Sequence, residues 1–175
     1  MPNVVKIEGF LLKKHRLSGQ DTVTVIFTKE QGKISAYAKG VKKITSRRSP
    51  HLQTGNLLII TLDSKGTAQY VQQTTLVSAF GQLKQNVRKV EMLYFFLFLI
   101  DRLVPEGVPE PQLYNMTKQF IIELNKAPIF TRSEILPYMQ EILLILGFSR
   151  DRRSFNETVQ LIEEIIHEKL PLSII

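Results

Sequence analysis

The spacing of hydrophobic positions changes once along the chain, near residue 80, and the change divides the sequence in two. Before it the period is that of strands. Thr22 to Thr28 sets Val23, Val25 and Phe27 on one face and Thr22, Thr24 and Thr28 on the other, with Ile26 out of step. Lys33 to Lys39 alternates again, with Ile34, Ala36 and Ala38 inward. Val4 to Lys14 is an extended apolar run with Gly9 in its middle, where a missing side chain permits a bulge or sharp bend. Asn56 to Leu62 is a nearly continuous apolar strand, Asp63 to Gly66 a hairpin turn, and Thr67 to Val77 a fifth strand. Lys29 to Gly32 forms a turn, and Gly40 to Thr54 a longer loop between the third and fourth strands. Five strands, the first long and bent, predict a small OB-type barrel, with an SH3-like barrel as the structural alternative.

After residue 80 the period is helical. Leu83, Val87, Val90, Leu93, Leu97 and Ile100 mark one long helix ending near Val104, and Met92 to Ile100 reads as its all-round-buried centre. Three prolines in Pro105 to Pro111 break the chain. Gln112 to Asn125 is a second helix. Thr131, with Glu134 three residues on, opens a third by a capping box, tolerates Pro137 in its first turns and takes Gly147 as its C-cap. A fourth starts at Ser154 or Asn156 and ends near Lys169; the apolar tail, Leu170 to Ile175, packs back. The fold expected is therefore α+β: a five-stranded OB-type barrel over residues 1–79, then an α-helical bundle domain over 80–175.

Composition sharpens this division. The net charge of +7 is unevenly spread: residues 1–80 hold 12 Lys and Arg against 4 Asp and Glu, and the remainder holds 11 against 12. All the excess positive charge lies in the barrel half, as a polyanion-binding module would have it. The absence of cysteine excludes disulfides, thiolate metal sites and cysteine nucleophiles. The N-terminus has no charged-then-apolar secretory pattern, and Asp101 and Arg102 end the apolar stretch well short of a membrane span.

Lys33 to Pro50 carries the chemistry. Alternation puts Lys33, Ser35, Tyr37 and Lys39 opposite the inward residues, which makes Tyr37 a stacking platform bordered by phosphate partners. The loop adds Lys42, Lys43, Arg47 and Arg48, four cations within seven residues on a mobile loop between strands, able to wrap a phosphate backbone. Lys13, Lys14 and Arg16 extend the path. The competing reading gives these lysines the task of guarding a sheet edge against aggregation. No cofactor is called for. Phe27 stands where a phosphate-cradling loop ending at Gly32-Lys33 would need glycine; His15, His51 and His167 are isolated, and Glu163 and Glu164 read as solvated charge. No enzyme is expected.

Several segments together resemble a known family. Gly9 in the first strand, Asp21-x-Val23 running to Phe27-Thr28, Gly32-Lys33, the run Ala38 to Lys43, Ser46-Arg47-Arg48 and Leu52-Gln53 resemble the N-terminal barrel of the bacterial RecO family. Phe80-x-x-Leu83, the long apolar helix and Leu146-Gly147-Phe148 are similar to its helical domain. The resemblance implies a cytoplasmic, nucleoid-associated mediator of DNA repair and recombination. It would bind single- and double-stranded DNA, anneal strands and, with RecR, help RecA displace single-stranded DNA-binding protein. DNA would lie on Lys33, Tyr37, Lys39, Lys42, Lys43, Arg47 and Arg48. The acidic, apolar-ended tail of single-stranded DNA-binding protein would dock on the helical domain, with Lys118 and Arg132 as candidate rims. Many members carry a four-cysteine zinc module after the Leu-Gly-Tyr/Phe turn; this chain has none, which implies a short form with that module deleted. A protein-interaction adaptor and an RNA-binding OB-type module are the alternatives.

Overall fold

The computed structural model describes residues 3–41 and 46–172. Five strands, β1 (Asn3–Arg16), β2 (Thr22–Thr28), β3 (Gly32–Ala38), β4 (Leu57–Lys65) and β5 (Ala68–Ser78), close a barrel in the order β1-β2-β3-β5-β4. All pairs are antiparallel except β3 with β5, where Ala36 and Tyr37 lie beside Gln69 and Tyr70. A closed five-stranded barrel joined through a β3–β5 crossover is the OB-type arrangement, which decides between the two barrels the pattern allowed.

β1 serves two neighbours. Asn3 to Phe10 pair with β4 and Gly9 to Arg16 pair with β2, so the strand turns from one sheet neighbour to the other around Gly9. A Cβ on Gly9 would lie 2.6 Å from the Ile26 side chain, so glycine is required there for space. The bulge itself falls two residues later, between Leu11 and Lys13.

β2 corrects the simple two-faced reading. Its threonine side is the barrel interior: Thr24 is fully buried, with its hydroxyl donating to the Ala36 carbonyl at 2.9 Å. Ile26 joins Ile34, Ala36, Ala38, Leu58, Ile60 and Leu62 in the barrel core. Val25 and Phe27 are buried as well, and Val23 only partly. A strand covered on both sides has no polar face to alternate with. The β4–β5 hairpin also differs: β4 runs through Asp63 to Lys65, and Lys65 pairs with Ala68 across Gly66 and Thr67.

The chain forms two compact units, residues 1–79 with 105–111, and residues 80–104 with 112–175. The proline-rich segment is thus part of the barrel unit. Glu106 bridges to Lys33, and the Gly107 N–H donates to the Lys33 carbonyl at 2.8 Å.

In the second unit the expected long helix is two: α1 (Gly81–Lys84) and α2 (Val87–Leu103). Asn86 breaks them apart, its side chain capping α2 by accepting from the Lys89 N–H at 3.2 Å. The apolar centre of α2 is buried except at Tyr94, which is 49% exposed, and at the partly buried Phe98. α3 (Pro111–Lys126) starts on its proline, where a missing N–H costs nothing. α4 (Arg132–Ile145) opens with the Thr131–Glu134 capping box. It closes in a Schellman turn: Phe148 N–H donates to Leu143 O at 2.8 Å and Gly147 N–H to Leu144 O at 3.1 Å, with Gly147 at φ 77°. Phe120 stacks on Phe96 at 3.8 Å and takes Tyr138 and Phe130 edge-on, tying α2, α3 and α4 together.

α5 (Phe155–Ile166) is capped by Ser154 and ends before the expected Lys169. Glu163, expected to be merely solvated, instead accepts from the Leu170 N–H at 2.9 Å and from Lys169 Nζ at 2.6 Å. Leu170 is buried, so the start of the tail packs as expected; residues 173–175 lie outside the described residues. No described helix is long and apolar enough to cross a membrane.

Candidate nucleic-acid interface

β3 behaves as its alternation requires. Ile34, Ala36 and Ala38 are buried, while Ser35, Tyr37 and Lys39 are exposed. Cross-strand register then extends Tyr37 into a row over four strands: His15 beside Val23, Val23 beside Tyr37, Tyr37 beside Tyr70. The Tyr37 and Tyr70 rings stack with centroids 5.5 Å apart and 29° between planes. Lys39 Nζ lies 4.9 Å from the centre of the Tyr70 ring, and Lys65 Nζ 6.0 Å from it.

Beside this pair lies an open groove of about 690 Å³. Lys39, Gly40, Ser46, Arg47, Arg48 and His51 line one side, and Gln72 to Thr75 of β5 the other. The described part of the β3–β4 loop is anchored, where a mobile segment was expected. Leu52 is fully buried in the barrel core, and Asn56 Nδ2 donates to the His51 carbonyl at 2.7 Å. Arg48 donates one guanidinium nitrogen to the Val71 carbonyl and the other to the Lys39 carbonyl, bracing the loop against β5 and the end of β3. His51 Nδ1 is 3.1 Å from the Thr74 carbonyl and 3.0 Å from its hydroxyl. Ser46 Oγ, in the same wall, is buried without a partner among the described residues.

Of the residues singled out from sequence, Lys39, Arg47 and Arg48 line the groove, and Tyr37 stacks on Tyr70, over which Lys39 lies. Arg47 is exposed, while Arg48 is partly committed to its brace. Lys42 and Lys43 lie outside the described residues. Lys33 sits four residues before Tyr37 on β3, partly buried and not among the groove lining. Lys13 shares the outward parity of His15. Lys14 and Arg16 pair with Thr24 and Thr22, the opposite parity, at the far end of β1. Burial, followed by the charge of Arg16, lowers the Lys14 pKa from the usual lysine value. Tyr70, Lys65, His51 and the β5 glutamines were not anticipated. Tyr70 had no local signal, because its place beside Tyr37 follows from the β3–β5 register, which local periodicity does not carry.

On the helical unit, Met92, Pro128, Ile129 and Phe130 line an apolar pocket of about 400 Å³ rimmed by Arg88, Lys89 and Arg132. Arg132 also reaches the Leu172 carbonyl at 3.3 Å and lies 5.8 Å from the Phe155 ring centre. Lys118 is partly buried on α3 and is not among the pocket lining.

An OB-type barrel with a cationic groove beside an aromatic pair, joined in one chain to a helical unit, defines a small class of α+β proteins. The first 80 residues match the family model described as Recombination protein O N terminal. The chain is similar to DNA repair protein RecO of Alkaliphilus metalliredigens, 30% identical over 127 residues, covering 72% of this chain and 51% of the relative. It is also similar to DNA repair protein RecO of Caldanaerobacter subterraneus subsp. tengcongensis, 23% identical over 144 residues, covering 82% of this chain and 58% of the relative. The protein of that name from Listeria monocytogenes serotype 4b (strain CLIP80459) is 26% identical over 121 residues, 69% of this chain and 48% of the relative. The chain belongs to the RecO family, and it spans about half the length of the curated relatives it matches.

Proposed function

We propose that this chain is a DNA repair and recombination mediator. It binds single- and double-stranded DNA without sequence preference, promotes annealing of complementary strands and, with RecR, helps RecA displace single-stranded DNA-binding protein. The observation that carries this reading is Lys39, which lines the groove together with Arg47 and at the same time lies over the ring of Tyr70, the stacking partner of Tyr37. Single-strand binders need this combination: an aromatic face serves any base, and cations serve the backbone whatever its sequence. Annealing asks more, since two polyanions must approach, and cations on one of them screen the repulsion. The relatives named as DNA repair proteins support the same reading.

The apolar pocket beside Arg132 suits an acidic peptide with an apolar end, the character of the single-stranded DNA-binding protein tail; Lys118 has less claim to that role. The direct test is annealing of two complementary labelled oligonucleotides, with and without the protein. Acceleration that Tyr37→Ala and Lys39→Ala abolish supports the proposal. A folded protein that leaves annealing at its spontaneous rate contradicts it, and tighter binding of a matched RNA strand would favour an RNA-binding module.

A further inference from the structure

β5 carries an extra residue where it borders the groove. Thr61 pairs with Gln73 and Leu62 with Val71, so Gln72 is left between them as a bulge. Along a regular strand neighbouring side chains take opposite faces; the inserted residue breaks that rule. Val71 is buried at 2%, whereas Gln72 and Gln73 are both exposed, and both line the groove. Two amides therefore line the groove on the stretch of β5 that follows Tyr70, where alternation would have supplied one. Gln72 is steadied by its Nε2, which donates to Asp63 Oδ2 at 3.3 Å; Asp63 Oδ1 has no partner among the described residues.

An amide N–H can donate to a phosphate, but the amide oxygen has no partner there and does have one on a base. A phosphate wants cations, which Lys39 and Arg47 already provide. A carboxamide offers a donor pair and an acceptor, and the Watson–Crick edge of every base, free only when the base is unpaired, carries both kinds of group. A base that stacks on Tyr37 and shows its edge to a neighbouring amide has left its duplex partner. We propose that Gln73, with Gln72 beside it, reads the exposed edges of unpaired bases, so that the groove prefers single-stranded nucleic acid and loosens its hold once the bases pair. This rests on the groove being the nucleic-acid site. It adds a means by which an annealing protein releases its product: pairing removes the stacking and edge contacts together and leaves only the phosphate contacts.

The test compares wild type with Gln73→Leu on three labelled probes of equal length: a mixed-sequence single strand, a strand of abasic residues, and a duplex. Gln73 is exposed, so the variant is expected to melt with wild type; Gln73→Asn gives a second, gentler variant with a shorter amide. Gln73→Leu should weaken single-strand binding on the order of ten-fold, the effect of one good edge contact, and leave the abasic and duplex probes unchanged. Gln73→Asn should fall between. Equal weakening on all three probes, or none on the single strand, overturns the proposal while leaving the groove as the binding site. Failure of the folded wild type to bind any probe overturns the groove reading itself, and this inference with it.

Discussion

The ring of Tyr70 meets two groups of β3 and its end, with the Tyr37 ring at 5.5 Å and the Lys39 ammonium at 4.9 Å from its centre. Tyr37 thus has an aromatic backing, and the residue remains 40% exposed. Removing Tyr37 should cost the stacking of one base, about 1–3 kcal/mol, or roughly 5- to 150-fold in single-strand affinity. Tyr70→Ala should lose less, because it removes the support and not the platform. Tyr70→Phe should bind like wild type. Fluorescence anisotropy with a labelled oligonucleotide distinguishes these outcomes.

Arg48 and Arg47 are neighbours with different work. Arg48→Ala removes two hydrogen bonds to carbonyls and should destabilise the barrel by about 2 kcal/mol, in the range for bonds from a charged donor. Arg48→Lys keeps the charge but cannot span both carbonyls, so it should recover only part of that loss. Arg47→Ala should leave the melting temperature unchanged and weaken DNA binding. Urea unfolding of the variants separates the two roles.

Gly32 has no room for a side chain. A Cβ there would fall 2.0 Å from the Val108 carbonyl oxygen, and its φ of 67° is itself unfavourable for other residues. Gly32→Ala should therefore cost about 3 kcal/mol by combined strain and clash, and should expose the segment 105–111 to proteolysis. Gly66→Ala is the control: φ is 62° but nothing lies within 4 Å, so only the conformational cost of about 1 kcal/mol applies.

Three carboxylates of the helical unit are held below the usual glutamate range. The Tyr138 hydroxyl does this for Glu123, the Ser154 hydroxyl and N–H for Glu157, and the Lys169 ammonium with the Leu170 N–H for Glu163. A depressed pKa in the folded state contributes stability above the unfolded value, about 4.3 for glutamate, and loses it as pH falls through the folded value. The helical unit should accordingly lose stability on acidification below about pH 4. Glu163→Gln should flatten that dependence. Melting by circular dichroism across the acid range gives the slopes.

The barrel was legible because β3 keeps a strict alternation, which places Tyr37 and Lys39 outward without any knowledge of the fold. β2 was less legible, since a strand buried on both sides hides which face is the interior, and here threonines satisfied by carbonyls take it. The α1–α2 break escaped because Val87 and Val90 continue the helical spacing through a cap that only Asn86 signals. The other half of the site is a matter of topology. Tyr70, Gln72 and Gln73 come beside Tyr37 through the parallel β3–β5 pairing and a bulge, and neither leaves a mark in local periodicity.

The proposed hold of the β3–β5 groove on nucleic acid combines backbone charge with a stacked base. Its most direct test is a salt titration of single-stranded oligonucleotide binding by anisotropy, comparing wild type with Lys39→Ala/Arg47→Ala. Affinity should fall log-linearly with salt, and the variant should bind more weakly with a slope shallower by about one to two phosphate contacts. A folded wild type that does not bind at low salt, or a variant with unchanged affinity and slope, would contradict the account.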